Sequence, residues 1–138
     1  MTKPSRLLHL ALLVWPLVWP FASPLAAQEV DCADAISQSD MNICAEEDWQ
    51  EADQDLNTTY QDVMAAMQQI DADLPDDLSG AEDALRDAQR AWISYRDANC
   101  TAAGFMMRGG SAEPLLVFGC LRELTLNRTQ ELRDLIAY

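Results

Sequence analysis

The side chains that most often do chemistry in small proteins are nearly absent from this 138-residue sequence. Its single histidine, His9, and its single lysine, Lys3, both fall within the first ten residues. From residue 28 onward there is no imidazole and no side-chain ammonium, so neither a Ser-His-Asp nor a Cys-His arrangement can be assembled there. No glycine-rich phosphate loop runs into a lysine, and no dinucleotide fingerprint occurs. Carboxylates remain, 23 of them. Two at the right separation could hydrolyse a glycoside. With so many acids any pair can be proposed, and a raised pKa in a cleft leaves no mark on a sequence. No catalytic residue and no cofactor is therefore expected, and a carboxylate hydrolase is the weakest of the readings.

Metal chemistry has one local candidate. Asp71, Asp73 and Glu82 stand at the first, third and twelfth places of an EF-hand loop, the spacing that wraps calcium. Pro75 takes the fifth place, however, and Asp76 the sixth, where glycine normally makes the turn. An acidic linker is the simpler reading, and no metal site is expected. The four cysteines, Cys32, Cys44, Cys100 and Cys120, contain no Cys-x-x-Cys pair. An even count in a small exported domain reads as a disulfide framework. Three pairings exist. Cys32–Cys44 with Cys100–Cys120 is preferred because each bridge closes a short loop around one helix junction, contributing about 3 kcal/mol in the chain-entropy account.

Export is suggested by the first 27 residues. Lys3 and Arg6 precede an apolar run over residues 7–21, and Ala26 and Ala27 offer a cleavage site, the pattern of a signal peptide. At about 15 residues the run is short of the roughly 20 that span a bilayer. Residues 28–138 then form one domain, periplasmic or secreted. They keep seven arginines against 23 carboxylates, a formal charge of −16. Such a surface repels nucleic acid and anionic lipid. It would speed encounter with a basic protein, or simply keep the domain soluble.

The segments that must position these groups are helical. Residues 81–100 place Leu85, Ala88, Trp92 and Tyr95 on one face. Ser79 followed by Glu82 resembles a capping box at the start, and Gly104 suits the end. Upstream, Ser39 is the expected N-cap of a longer helix reaching about Ile70. Its apolar stripe is Trp49, Ala52, Leu56, Tyr60, Val63, Met67 and Ile70, opposite an acidic run that includes Glu46, Glu47 and Glu51. Downstream, Pro114 fits the first turn of a third helix with Leu121, Leu124, Leu132 and Leu135 inward. The expected fold is all-α, a small disulfide-stapled antiparallel three-helix bundle. Within the loop over residues 105–113, Phe105, Met106 and Met107 are expected to fold inward and cap the bundle; left outside, they would form an adaptable contact surface. Asn57, Gln89, Arg96 and Arg128 fall near the core and need polar partners. Asp53 and Asp97 are the candidates, in an internal network that sets helix register.

Four stretches carry a family resemblance: Cys32 to Cys44 with Met41 and Asn42; ADQDLNTTY with Asp53, Leu56, Asn57 and Tyr60; AQRAWISYRDANC with Gln89, Trp92, Tyr95, Arg96 and Cys100; and Cys120 followed by Leu124, Thr125 and Arg128. Together they resemble the LprI-type lysozyme inhibitors, long catalogued as a domain of unknown function. The resemblance covers residues 30–136. It implies a helical domain outside the cytoplasm that inhibits lysozyme, a basic protein partner, by non-covalent occlusion. No lipid-anchoring cysteine follows the leader, which implies a free protein with no membrane attachment. The family offers no contact residues to carry over. Arg108, Ser111 and Glu113 in the loop, with Glu46, Glu47 and Glu51 on the first helix, are the expected partner-binding groups. The alternative is an envelope interaction module with a different protein partner.

Overall fold

The structure, a computed structural model, describes residues 30–137. The leader expected at residues 1–27 lies outside them. Among the described residues three α-helices follow one another: α1 (Gln38–Asp73), α2 (Ala81–Gly104) and α3 (Glu113–Leu135), with one 3-10 turn at Phe105–Met107. There is no strand among the described residues. Asp71 meets Ala81 while Asp53 meets Arg96, so α1 and α2 run antiparallel. Gln89 meets Arg128 while Cys100 meets Cys120, so α2 and α3 do too. That leaves α1 and α3 parallel, and they share the most extensive interface. The disulfides pair as Cys32–Cys44 and Cys100–Cys120.

The start of α1 is set by Ser37, not Ser39. The Ser37 hydroxyl accepts the Asp40 backbone N–H at 3.1 Å, satisfying one of the orphan donors of the first turn. Ser39 stands inside the helix. The helix ends because Leu74 precedes Pro75: ring clash pushes the preceding residue out of the α region, and Leu74 is extended at φ −98°, ψ 152°. The start of α2 is also capped differently from the Ser79–Glu82 expectation. No side chain of α2's own N-cap residue, Gly80, serves it, and the Ser79 hydroxyl turns back to the Asp76 carbonyl. Instead the Asp71 carboxylate, from the last turn of α1, accepts the N–H groups of Gly80, Ala81 and Glu82 at 2.7, 2.8 and 3.0 Å. Gly80 sits at φ +133°, a conformation open to glycine and strained for other residues. One carboxylate thus fills the role of both a cap and a turn clamp.

The packed centre is Leu56, Val63, Leu85 and Leu132, with Tyr60, Met64, Met67 and Trp92 against it. Each such aliphatic burial is worth about 1.5–3 kcal/mol. The α1 stripe follows the expected positions from Ala52 to Met67, but Ile70 is exposed, and so is Leu135 at the end of α3. The buried line of α2 differs more. It runs Leu85, Gln89, Trp92, Arg96 and Cys100, leaving Ala88 and Tyr95 outside. Cys100 explains this. To reach Cys120 it must face α3, and stepping back from 100 by helical spacing leads to 96, 92, 89 and 85. Tyr95 is 57% exposed as a result.

Phe105, Met106 and Met107 do not cap the bundle. They are 59%, 81% and 52% exposed. Gly104 is packed so closely that a Cβ there would lie 2.6 Å from the Val117 side chain. α3 thus lies hard against the point where the turn begins, and the three side chains go to solvent.

Candidate functional site

Two sets of polar groups lie inside the bundle. Arg96 projects from the middle of α2 toward α1 and donates to Asp53 and Asp97, both at 2.9 Å. Its guanidinium lies over the Trp92 ring at 5.1 Å and the Trp49 ring at 5.9 Å. A side chain with only 10% exposure thus has its charge matched by carboxylates and its faces covered by aromatic rings. Asp53 also accepts from the exposed Asn57 amide at 3.0 Å. The second set joins α2 to α3. Arg128 donates to the Gln89 side-chain carbonyl at 3.1 Å and to Glu131 at 2.9 Å. Asn57, Gln89, Arg96 and Arg128 therefore form two clusters, each bridging a different helix pair, and not one network.

The 105–113 loop is built from its own side chains. Glu113, the first residue of α3, accepts the Gly109 N–H at 2.7 Å and the Arg108 guanidinium at 2.5 Å. The Gly109 amide, reinforced by Arg108, holds the Glu113 carboxyl below its ordinary value against the opposing effect of burial. Gly109 adopts φ +77°, as a residue with a Cβ rarely would. Arg108 also covers the Phe105 ring at 4.7 Å. From α1, the Asn42 amide donates to the Ser111 carbonyl at 2.9 Å. Of the expected contact groups, Arg108, Ser111 and Glu113 are brought together: Arg108 pairs with Glu113 while staying 60% exposed, and the Ser111 backbone carbonyl is tied to α1. The loop also turns Phe105, Met106 and Met107 outward. Beside them runs an open groove of about 500 Å³ lined by Gly109, Gly110, Glu113, Pro114, Val117 and Phe118. Trp49 stacks on Phe118 at 5.7 Å, which couples this groove to the Arg96 cluster.

The acidic groups of α1 are dispersed along the helix. Glu46 accepts from Gln50 at 3.4 Å. Glu47 lies 3.4 Å from the Cys32 sulfur, which as a disulfide sulfur has no proton to give. Cys32, Cys44 and Glu47 are close enough together to suggest metal ligands, yet with both sulfurs bridged only the carboxylate is available. Glu51 lines a depression of about 290 Å³ with Asp48, Asp55 and Arg122. One guanidinium nitrogen of Arg133 donates to both Asp55 carboxylate oxygens, at 2.8 and 2.9 Å. Asn42 and Phe118 are the positions that residue-type reasoning did not single out for the loop end. Asn42 had a signal in the Met41–Asn42 pair before Cys44. Phe118 reads only as another apolar residue of α3.

These features define a small disulfide-held helical domain with one rigid loop end. The family profile described as Lysozyme inhibitor LprI matches residues 31–132, and the chain belongs to that family. It is 55% identical over 119 residues to an uncharacterized protein of Rhizobium meliloti (strain 1021), covering 83% of this chain and 86% of that one. Its fold is similar to the crystal structure of a DUF1311 family protein of Pseudomonas putida KT2440. The TM-score is 0.62 at 23% identity, over 72% of this chain and 93% of that one. No helix among the described residues is long and apolar enough to cross a membrane.

Proposed function

We propose that residues 1–27 direct export and are removed, and that the remaining chain inhibits a lysozyme by non-covalent occlusion of its glycan cleft. The observation that carries the reading is the exposed apolar tip, Phe105, Met106 and Met107, on a loop held by Glu113, Gly109 and Asn42. An apolar patch on a pre-ordered loop loses little conformational freedom on binding, and aromatic and methionine side chains suit the centre of an interface. The formal charge of −16 over residues 28–138 would draw in a basic enzyme and raise the encounter rate. Glu46, Glu47 and Glu51 would meet the basic rim, and Arg108 and Glu113 would act by keeping the loop in shape. No step needs a nucleophile or a proton carrier. Initial rates of hen-type, goose-type and invertebrate-type lysozymes, measured with excess protein at low and moderate salt, test this. At least one should slow, with onset slower at the higher salt. If all three run at full speed, inhibition is wrong.

A further inference from the structure

The apolar tip is made of residues that oxidants attack, and the rest of the molecule leaves it the preferred target. All four cysteines are bridged and no free thiol is present, so thioethers are the softest nucleophiles available. Of the methionines described, Met64 and Met67 pack against the central cluster, and Met41 is half-buried. Met106 and Met107 alone stand in the open, Met106 the more so. They sit side by side on the single 3-10 turn, with Phe105 held beneath the Arg108 guanidinium. We infer that Met106 and Met107 are an oxidation site whose modification erases the apolar contact surface of the loop.

The reaction is transfer of one oxygen atom from a hydroperoxide. A lone pair on the thioether sulfur attacks the outer peroxide oxygen. The O–O bond breaks as the S–O bond forms, the sulfur gives up two electrons, and the peroxide takes them. With hydrogen peroxide the displaced hydroxide receives the proton of the transferred oxygen and departs as water. The product sulfoxide is polar and chiral where the thioether was apolar and adaptable. The local fold tolerates this. The bonds that shape the loop, Gly109 N–H to Glu113, Gly110 N–H to the Met107 carbonyl and Asn42 to the Ser111 carbonyl, use no methionine side chain. Oxidation would therefore change the surface and leave the scaffold. An exported protein meets such oxidants outside the reducing cytosol. The loss of inhibition expected from this chemistry rests on the function proposed above; the site of oxidation does not.

The test treats the chain lacking residues 1–27 with hydrogen peroxide and maps added oxygen by peptide mass spectrometry. Met106 and Met107 should oxidise at least roughly tenfold faster than Met41, Met64 and Met67. Fluorescence of a neutral hydrophobic dye bound to the folded protein should fall in step, with helical circular dichroism unchanged. The variant M106L/M107L lacks both sulfurs, and the same treatment should cause no fall in its dye binding relative to its own untreated sample. Equal oxidation rates at all five methionines would overturn the proposal, as would equal losses from the wild type and M106L/M107L. If the untreated chain inhibits no lysozyme, the proposed function falls alone, and the mass map with the dye still decides the oxidation site.

Discussion

The two ends of the bundle are secured by different means. Where α1 turns into α2, there is no disulfide. The Asp71 carboxylate clamps three backbone N–H groups, and the cluster of Leu56, Val63, Leu85 and Leu132 occupies the adjoining half of the interior. Toward the other end the interior turns polar and aromatic, with Arg96 between Trp49 and Trp92. Both bridges lie there, and so does the exposed 105–107 turn. Cross-links at that end stand in for apolar burial. A core tolerates little outward-facing apolar surface, because its residues are needed inside. A cross-linked end can hold its shape while presenting phenylalanine and methionine to solvent.

Substitutions at each end should break or sharpen this contrast. The largest effect is expected in the aliphatic half. Leu132→Ala should cost about 3–4 kcal/mol, since the side chain is fully buried in the central cluster and its loss leaves a cavity there; urea unfolding would read it as a lower midpoint with unchanged slope. Removing the Cys100–Cys120 bridge as C100A/C120A should cost about 3 kcal/mol. C32A/C44A should cost under about 1 kcal/mol, because the bridge ties α1 to an exposed turn that the core does not need. If the two pairs prove equal, the N-terminal turn is part of the cooperative unit. Arg96→Ala should cost about 2 kcal/mol by emptying the space between the tryptophans, and Arg96→Met should recover part of it.

Asp71→Ala should give a smaller loss, and one that depends on pH. Backbone N–H groups of Glu82, Ala81 and Gly80 lower the Asp71 pKa from its ordinary 3.8. A depressed folded-state pKa stabilises above the unfolded value and ceases to do so as pH falls through the folded value. The wild-type and Asp71→Ala midpoints should therefore differ at neutral pH and converge in acid below 3.8. A gap that persists in strong acid would mean that the clamp does not act through its charge. The smallest effect on stability belongs to the tip. M106S/M107S should change unfolding free energy by less than about 0.5 kcal/mol yet abolish inhibition of any lysozyme that the wild type slows.

Helix number, order and disulfide pairing could all be read from spacing, because an apolar stripe and a nearby cysteine pair are local signals. Misreadings came where a distant residue decided the outcome. The Ser79–Glu82 pattern has the right local form, yet Asp71, nine residues before Gly80, takes those donors. Apolar spacing alone draws the α2 stripe through Ala88 and Tyr95. Gln89 and Arg96 occupy the inner line because Arg128 and Asp53 wait for them on other helices. A Cys100–Cys120 bridge that holds the loop close to the core favours folding its apolar residues inward. The close approach of Gly104 to Val117 brings α3 against the base of the loop, and nothing in the sequence of the loop itself announces that.

Each bridge joins cysteines on the same side of the 74–80 connection: Cys32 with Cys44 before it, Cys100 with Cys120 after it. A single protease cut within that exposed stretch would divide the molecule into a lone rod and a covalently closed hairpin, with no sulfur link between them. The two pieces would be separable by dilution in denaturant without reductant. Made apart, they would be halves of a split protein, able to report by reassembly how much of the affinity between α1 and the hairpin resides in the buried seam alone.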